Sequence, residues 1–164
     1  GNENSRANPE EVTQVVRIIK QLTLDRTVDP KDIAVLTPYN AQAAAISRGL
    51  MQRGVTGVTV TSITKSQGSE WRYVIVSTVR TCPRSDVDQR PTKSWLKKFL
   101  GFVVDPHQVN VAITRAQEAL CIIGDHLLLR CCPLWHRLLD FCEAQHSLVS
   151  AEKVRVQRKS ALSS

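Results

Sequence analysis

Short apolar segments rich in β-forming residues alternate with amphipathic helical segments, and this alternation constrains the fold more than any other feature of the chain. The four β segments are residues 33–37, the stretch around Val58 and Val60, residues 73–79 and residues 119–123. Residues 73–79 are a nearly continuous run of β-formers, which is typical of a strand buried on both faces. Because strands that alternate with helices favour parallel pairing, we expect an α/β fold: a mainly parallel sheet of about five to six strands with helices on both faces.

Several helix starts are marked by their local sequence. Asn8 and Pro9 combine a cap with a proline at the first helical position, and acidic residues follow in the first turn. Further helices are expected from Asn40, from Asp105 and from Pro133. The inward side of the last helix is predicted to hold Leu134, Leu138, Leu139, Phe141 and Cys142.

Residues 109–117 place an arginine at the end of a helical segment. The apolar residues of this segment recur at helical spacing and form one face, whereas Arg115 lies off that face. A guanidinium in such a position is a permanently charged fork suited to a polyphosphate. The ordinary alternative is that Arg115 complements the dipole at the helix C-terminus.

A polar connection, Ser-Gln-Gly-Ser-Glu at residues 66–70, lies between two of the predicted strands. Gly68 would let the backbone approach a ligand closely, and the Glu70 carboxylate could accept hydrogen bonds from a sugar hydroxyl. Taken alone, the segment also fits an ordinary loop between strands.

Together these segments resemble motifs V and VI of superfamily 1 helicases, in the branch that contains the RNA helicase of nonsense-mediated decay. The matching patterns are Q-G-x-E followed by a buried strand, and then N-V-A-[LI]-T-R-A. Residues 36–42 match the T-P-Y-x-x-Q element of that branch, and Ser5, Asn8 and Glu11 match its S-x-x-N-x-x-E element. The four elements occur in family order over residues 5–149.

The resemblance implies the second RecA-like domain of a two-domain motor, in residues 1–150. ATP then lies in the cleft between the domains, and the first domain supplies the phosphate loop and the Mg²⁺ ligands. Arg115 matches the arginine finger, Glu70 the carboxylate that contacts the ribose, and Gly68 the glycine beside the γ-phosphate. We therefore expect Glu70 and Arg115 to lie together on one face of the domain.

The same resemblance implies that a single strand of nucleic acid, RNA in preference to DNA, crosses the top of both domains. Six residues match family positions near its backbone: Thr37, Pro38, Tyr39, Thr61, Ser62 and Gln67. The alternative is a helicase-like module that binds nucleic acid or protein without motor activity. The connection at residues 80–101 is either a disordered surface loop or a flap that contacts nucleic acid, with a short amphipathic turn around Trp95 and Phe99.

The chain departs from the family pattern at three positions. Thr64 replaces an acidic residue of many relatives, Ser66 replaces an aromatic residue, and Gln117 replaces a residue that is often basic. The chain also contains no G-x-x-x-x-G-K-[ST] phosphate loop. We therefore expect it to be a piece of a longer protein that does not hydrolyse ATP without its first domain.

The bulk composition sets the remaining expectations. A net charge of +7 favours a polyanionic partner, although it also fits simple solubility. Residues 151–164 are predicted to be a basic, fraying tail. Five cysteines without paired C-x-x-C spacing indicate reduced thiols in the cytoplasm or the nucleus, and they predict no metal site. No apolar run is long enough to predict a membrane span.

Overall fold

The computed structural model describes residues 6–154. Its four strands, β1 to β4, are all parallel and lie in the order β2-β1-β3-β4. The strands are Ile33–Thr37, Thr59–Ser62, Trp71–Ser77 and Ala116–Ile123. The α-helices, α1 to α6, are Pro9–Thr23, Asn40–Gln52, Lys93–Leu100, Pro106–Ile113, His126–Leu129 and Pro133–Ala144.

Helices cover both faces of the sheet, as predicted. One face packs against α1 and α2, where Ile19 and Ile46 join Val35 and Ile75 of the central strands in one buried cluster. The other face carries Leu36 and neighbouring strand residues, which pack against α4 and the helices that follow it. The domain is therefore an α/β fold of the RecA-like type.

The expected number of strands is wrong, because the described residues form four strands rather than five or six. Only four apolar segments of this range have strand character. Other apolar residues, such as Leu100 and Leu128, lie in α3 and α5 and build a second core beside the sheet. The sheet is consequently narrow, with β2 and β4 as its edges.

One prediction about burial is also wrong, and two exposed sites have a geometric reason. Strand β4 is an edge strand, so Ala119 and Leu120 at its centre are exposed although their side chains are apolar. Phe141 of α6 is 64% exposed, because Trp135 and Leu139 define the buried side of that helix and Phe141 lies away from it.

The connection between residues 80 and 101 is structured. A short 3₁₀ turn, Arg84–Asp86, is followed by helix α3, whose amphipathic character was predicted. Trp95 and Phe99 pack against the second core, with their ring centroids 4.5 Å apart. The interpretation of this segment as a disordered loop is therefore wrong.

The predicted tail differs from expectation over its first four residues. Arg17 of α1 donates hydrogen bonds to the carbonyls of Ala151 and Val154, at 2.6 Å and 3.0 Å. These contacts hold the start of the tail against the domain. The rest of the predicted tail, residues 155–164, lies outside the described residues.

Candidate functional site

The loop at residues 66–70 and the end of α4 meet at the edge of the sheet where the strands begin, which we call the amino edge. Glu70 precedes β3 and Arg115 precedes β4, and these neighbouring strands pair with Trp71 opposite Ala116. The Trp71 amide donates to the Arg115 carbonyl at 3.0 Å. The predicted proximity of the glutamate and the arginine is therefore confirmed.

Arg115 is partly buried, and its guanidinium is held by three hydrogen bonds. Nε donates to the Val111 carbonyl at 3.2 Å, Nη1 to the Ser69 carbonyl at 3.2 Å, and Nη2 to the Thr114 hydroxyl at 3.1 Å. Because a guanidinium has five N–H donors, one donor on each terminal nitrogen is left for a ligand. Among residues 6–154 no carboxylate forms an ion pair with this side chain. Arg115 is thus an oriented cation with the two donors that bidentate anion recognition requires.

Gly68 and Glu70 lie beside this cation and are open to solvent. Gly68 has a φ of +80°, a conformation that glycine adopts without steric cost. Apart from Gly68 and its two chain neighbours, no described residue has a heavy atom within 4 Å of the position that a Cβ would occupy there. Glu70 is exposed and accepts one long hydrogen bond, at 3.4 Å, from Nε2 of Gln117. Both residues can therefore be reached by a ligand that also contacts Arg115.

An ion-pair network flanks this edge, and no sequence motif predicts it. Arg72 donates to both carboxylate oxygens of Glu118 across the β3–β4 pair, at 2.7 Å and 3.1 Å, and to Asp32 at 3.2 Å. The hydrogen bond from Arg72 lowers the pKa of Glu118. Opposite charges at the starts of two neighbouring strands could have suggested the pair only if their register had been known.

The residues predicted to contact nucleic acid gather at the opposite edge, where the strands end, which we call the carboxyl edge. Thr37 lies opposite Ser62 and Leu36 opposite Thr61 in the β1–β2 register. The Ile63 amide donates to the Thr37 carbonyl at 3.2 Å, so the two strand ends remain joined. Pro38 follows β1 directly and is partly exposed, as are Thr61 and Ser62.

Two of the predicted contact residues are fully buried. Thr37 and Tyr39 are both 0% exposed, and the Tyr39 hydroxyl accepts a hydrogen bond from Nε of Arg80 at 2.6 Å. Tertiary packing, which the local sequence does not reveal, covers both side chains. Thr37 and Tyr39 can therefore meet a nucleic-acid strand only through their backbone groups, whereas the side chain of Pro38 remains available at the same turn.

The 66–70 loop and α4 run side by side between the two edges. Gln67 is exposed, and its Nε2 lies 3.4 Å from Nε2 of His107 in the first turn of α4. At the other end the Ser69 carbonyl meets Arg115. Gln67 therefore lies toward the carboxyl edge, and Gly68 and Glu70 toward the amino edge.

A buried polar network joins two of the other motifs to the end of β3. The Asn8 amide donates to Oε1 of Gln42 at 2.8 Å, and Nε2 of Gln42 donates to the Ser77 hydroxyl at 2.9 Å. The Ser77 hydroxyl donates to Oε2 of Glu11 at 2.5 Å, and the Val79 amide donates to the same oxygen at 2.9 Å. Asn8 and Glu11 thus hold the backbone after β3 in place. Ser5, which belongs to the same predicted motif, lies outside the described residues.

The network holds two energetically unfavourable features, the buried carboxyl group of Glu11 and the backbone conformation of Val79. Burial raises the pKa of Glu11 to about 7, and its Oε1 has no hydrogen-bond partner among the described residues. Val79 has a φ of +69°, which is unusual for a β-branched residue and persists only where neighbours fix the backbone. Asn8 contributes to this by donating to the Val79 carbonyl at 3.1 Å.

Three further observations concern metal, thiols and membranes. Within the described range, no group of His, Cys, Asp and Glu side chains has an arrangement suited to a metal ion. All five cysteines are free thiols, and burial raises the pKa of Cys82, Cys121 and Cys131. None of the described helices has the length and apolar character needed to span a bilayer.

The parallel sheet, together with the cation and carboxylate at its amino edge, defines the class of the protein as an α/β domain of the RecA-like type. Residues 1–127 match the protein family described as AAA domain. The chain therefore belongs to that family.

Three relatives indicate the kind of protein in which such a domain occurs. The chain is 76% identical over 164 residues, all of its length, to the human 3'-5' exoribonuclease HELZ2. It is 37% identical over 121 residues, 73% of the chain, to DNA polymerase alpha-associated DNA helicase A of Schizosaccharomyces pombe. It is 35% identical over 144 residues, 86% of the chain, to mouse RNA helicase Mov10l1. The chain spans only 6%, 16% and 12% of these relatives.

Proposed function

We propose that this chain is the second motor domain of an ATP-dependent helicase that acts on RNA or DNA. The observation that carries the proposal is the state of Arg115, whose guanidinium is fixed by three hydrogen bonds and keeps one N–H donor open on each terminal nitrogen. Such a cation can donate two parallel hydrogen bonds to a phosphate without first rearranging. The similarity to named helicases supports the same assignment.

In this function ATP is the substrate, and the amino edge of the sheet forms one wall of its site. Gly68 leaves open space for the terminal phosphate, while Glu70 accepts hydrogen bonds from the ribose hydroxyls. Arg115 acts as the arginine finger, because its charge stabilises the negative charge that develops on the transferring phosphoryl group. The Mg²⁺ ligands and the phosphate loop belong to the first RecA-like domain, which is the expected partner of this edge.

The carboxyl edge supplies part of the surface for a single strand. Pro38, Thr61, Ser62 and Gln67 are at least partly exposed there, and their backbone, hydroxyl and amide groups suit phosphate contacts that do not read sequence. We assign RNA in preference to DNA as the strand, in line with the resemblance to the nonsense-mediated-decay branch and the similarity to an RNA helicase. We assign the cytoplasm or the nucleus as the location, because the cysteines are free thiols.

Kinetics of Arg115 variants in the full-length protein test the proposal. We expect Arg115→Ala to reduce strand-stimulated ATP turnover on the order of 10³-fold or more, with little change in strand affinity. Arg115→Lys should recover little, because an ammonium does not reproduce the planar fork. The exposed Arg53 at the end of α2 provides the control, and Arg53→Ala should leave turnover intact. Near-normal turnover in a folded Arg115→Ala protein would contradict the arginine finger.

The second candidate is a helicase-like module that binds nucleic acid without motor activity, and the net charge of +7 favours it equally. On either reading the isolated chain should bind a labelled single strand weakly, with a Kd of about 10⁻⁴ to 10⁻⁶ M that weakens steeply as salt increases. Titrations at two salt concentrations measure this, and binding that ignores salt would contradict an electrostatic surface. Strand binding by a full-length protein that hydrolyses no ATP would favour the module over the motor.

A further inference from the structure

Arg80 is a buried cation whose terminal nitrogens have no partner within the part of the chain that the structure describes. Its side chain follows β3 and is 6% exposed. Nε donates to the Tyr39 hydroxyl at 2.6 Å, and the guanidinium carbon lies 5.6 Å from the centre of the Tyr39 ring. Among residues 6–154 no carboxylate lies within ion-pair distance of Arg80, and neither terminal nitrogen donates a hydrogen bond. Because neither nitrogen is a fully enclosed unpaired atom, both still reach solvent.

The surroundings keep this cation in place without neutralising it. Removing a guanidinium from most of its water is unfavourable unless an anion accompanies it. The face of the Tyr39 ring offsets only part of that cost. Gly101 packs closely over the guanidinium, since a Cβ at that position would lie 2.3 Å from Nη2 of Arg80. An anion that binds at the open side of Arg80 would supply the missing counter-charge.

An exposed aromatic ring contacts the same tyrosine as this cation. Phe102 follows Gly101 in the chain, is 41% exposed, and contacts the Tyr39 ring edge to face with the centroids 6.5 Å apart. It lines one apolar pocket together with Pro38, which remains available at the carboxyl edge. A cation and an exposed aromatic ring side by side form the pair of contacts that proteins use to hold single strands.

We propose that Arg80 and Phe102 together hold one nucleotide unit of a bound single strand. The terminal nitrogens of Arg80 bind a backbone phosphate, and the Phe102 ring stacks on an adjacent base. This inference rests on the proposed function, because it specifies how the domain grips the strand. It also assigns the 80–101 connection a role, since that segment begins at the cation and ends at the glycine beside the ring.

The test is a titration of the full-length protein with a labelled oligouridylate at several salt concentrations, without nucleotide. Phe102→Ala should weaken binding about 5- to 150-fold, the range found for loss of one stacked base. Arg80→Met should weaken binding and make the slope of log K against log salt shallower by about 0.7, the value for one phosphate contact on a single strand. Arg80→Lys should keep the wild-type slope with intermediate affinity.

Modified strands separate the two contacts from a general loss of structure. On a strand with abasic sites, Phe102→Ala should bind as the wild type does, because no base is left to stack. On a strand with neutral methylphosphonate linkages, Arg80→Met should bind as the wild type does. Phe141→Ala and Arg53→Met, which alter an exposed ring and an exposed arginine elsewhere, should leave binding unchanged on every strand.

The outcomes distinguish this inference from the proposed function. Wild-type affinity for unmodified strands in folded Phe102→Ala and Arg80→Met proteins, with ATP hydrolysis retained, would overturn the inference and leave the proposed function standing. A wild-type protein that neither binds a strand nor hydrolyses ATP would overturn both. If Arg80→Met lowers the melting temperature sharply, Phe102→Ala on intact and abasic strands decides, since equal losses on both would contradict stacking.

Discussion

Both edges of the sheet carry family motifs, yet Glu70 and Arg115 at the amino edge and Glu11 and Gln42 at the carboxyl edge use their polar side chains in opposite ways. At the amino edge, Glu70 and Arg115 are exposed or partly buried and keep unused hydrogen-bonding capacity. At the carboxyl edge, Glu11 and Gln42 are buried and bond to Ser77 and to backbone groups. The first arrangement suits a ligand, and the second suits the positioning of chain segments.

This difference shows that a motif match alone does not identify a binding residue. Tyr39 and Gln42 belong to one motif with Pro38, but the tyrosine and the glutamine are 0% exposed while the proline is partly exposed. Burial separates residues that hold the fold from those that can meet a ligand. The comparison predicts that carboxyl-edge network variants change stability, whereas amino-edge variants change turnover.

The largest stability effect is expected for Gln42→Ala. The change leaves the Asn8 backbone amide without its acceptor, removes the donor to the Ser77 hydroxyl oxygen and opens a cavity, which together should cost about 3–5 kcal/mol. The midpoint of urea unfolding measures the loss. Gln52→Ala, at the exposed end of the same helix, serves as the control and should shift the midpoint little. Equal midpoints for the two variants would contradict a structural role for the network.

The pH dependence of stability should report on Glu11. Its pKa rises from 4.5 to about 7 on folding, chiefly through burial. The folded state therefore binds a proton that the unfolded state has released, so the free energy of unfolding falls as pH increases from about 4.5 to 7, by on the order of 3 kcal/mol. Glu11→Gln should flatten that slope, and Glu10→Gln should not. Unfolding curves at several pH values measure it, and an unchanged slope in Glu11→Gln would show that another group titrates.

The smallest effect is expected for Arg72→Ala at the amino edge. Its ion pairs with Glu118 and Asp32 are solvent-exposed, and such pairs contribute little to stability. The urea midpoint should stay nearly unchanged, and high salt should remove any remaining difference from the wild type. A large shift would mean that the network holds the strand starts in register, and the contrast between the two edges would then weaken.

The sequence predicts the strands and helix starts well, because both are set by local patterns. Strand β1 was predicted at its observed bounds, and the caps at Asn8 and Asp105 accept the expected backbone hydrogen bonds. The proximity of Glu70 and Arg115 also followed from the motifs. These features depend on periodicity, helix capping and sequence motifs, all of which can be recognised in the local sequence.

The remaining features depend on tertiary packing, which the local sequence does not contain. The burial of Tyr39 follows from its contacts with Arg80 and Phe102, which are distant in the chain. The exposure of Leu120 follows from the edge position of β4. Arg80 lies in a segment whose sequence predicts only a loop or a flap, and its lack of a counter-charge depends on the three-dimensional packing.

Hydrogen–deuterium exchange on the full-length protein, with and without a non-hydrolysable ATP analogue, tests the contrast between the two edges most directly. The account predicts that the analogue slows exchange in peptides that cover residues 66–72 and 110–117. Peptides that cover residues 8–12 and 77–79 should exchange at the same rate in both states, since the network of Asn8, Glu11 and Ser77 contacts no nucleotide in this account. Protection confined to the 8–12 and 77–79 peptides, with none at the amino edge, would contradict the nucleotide site proposed here.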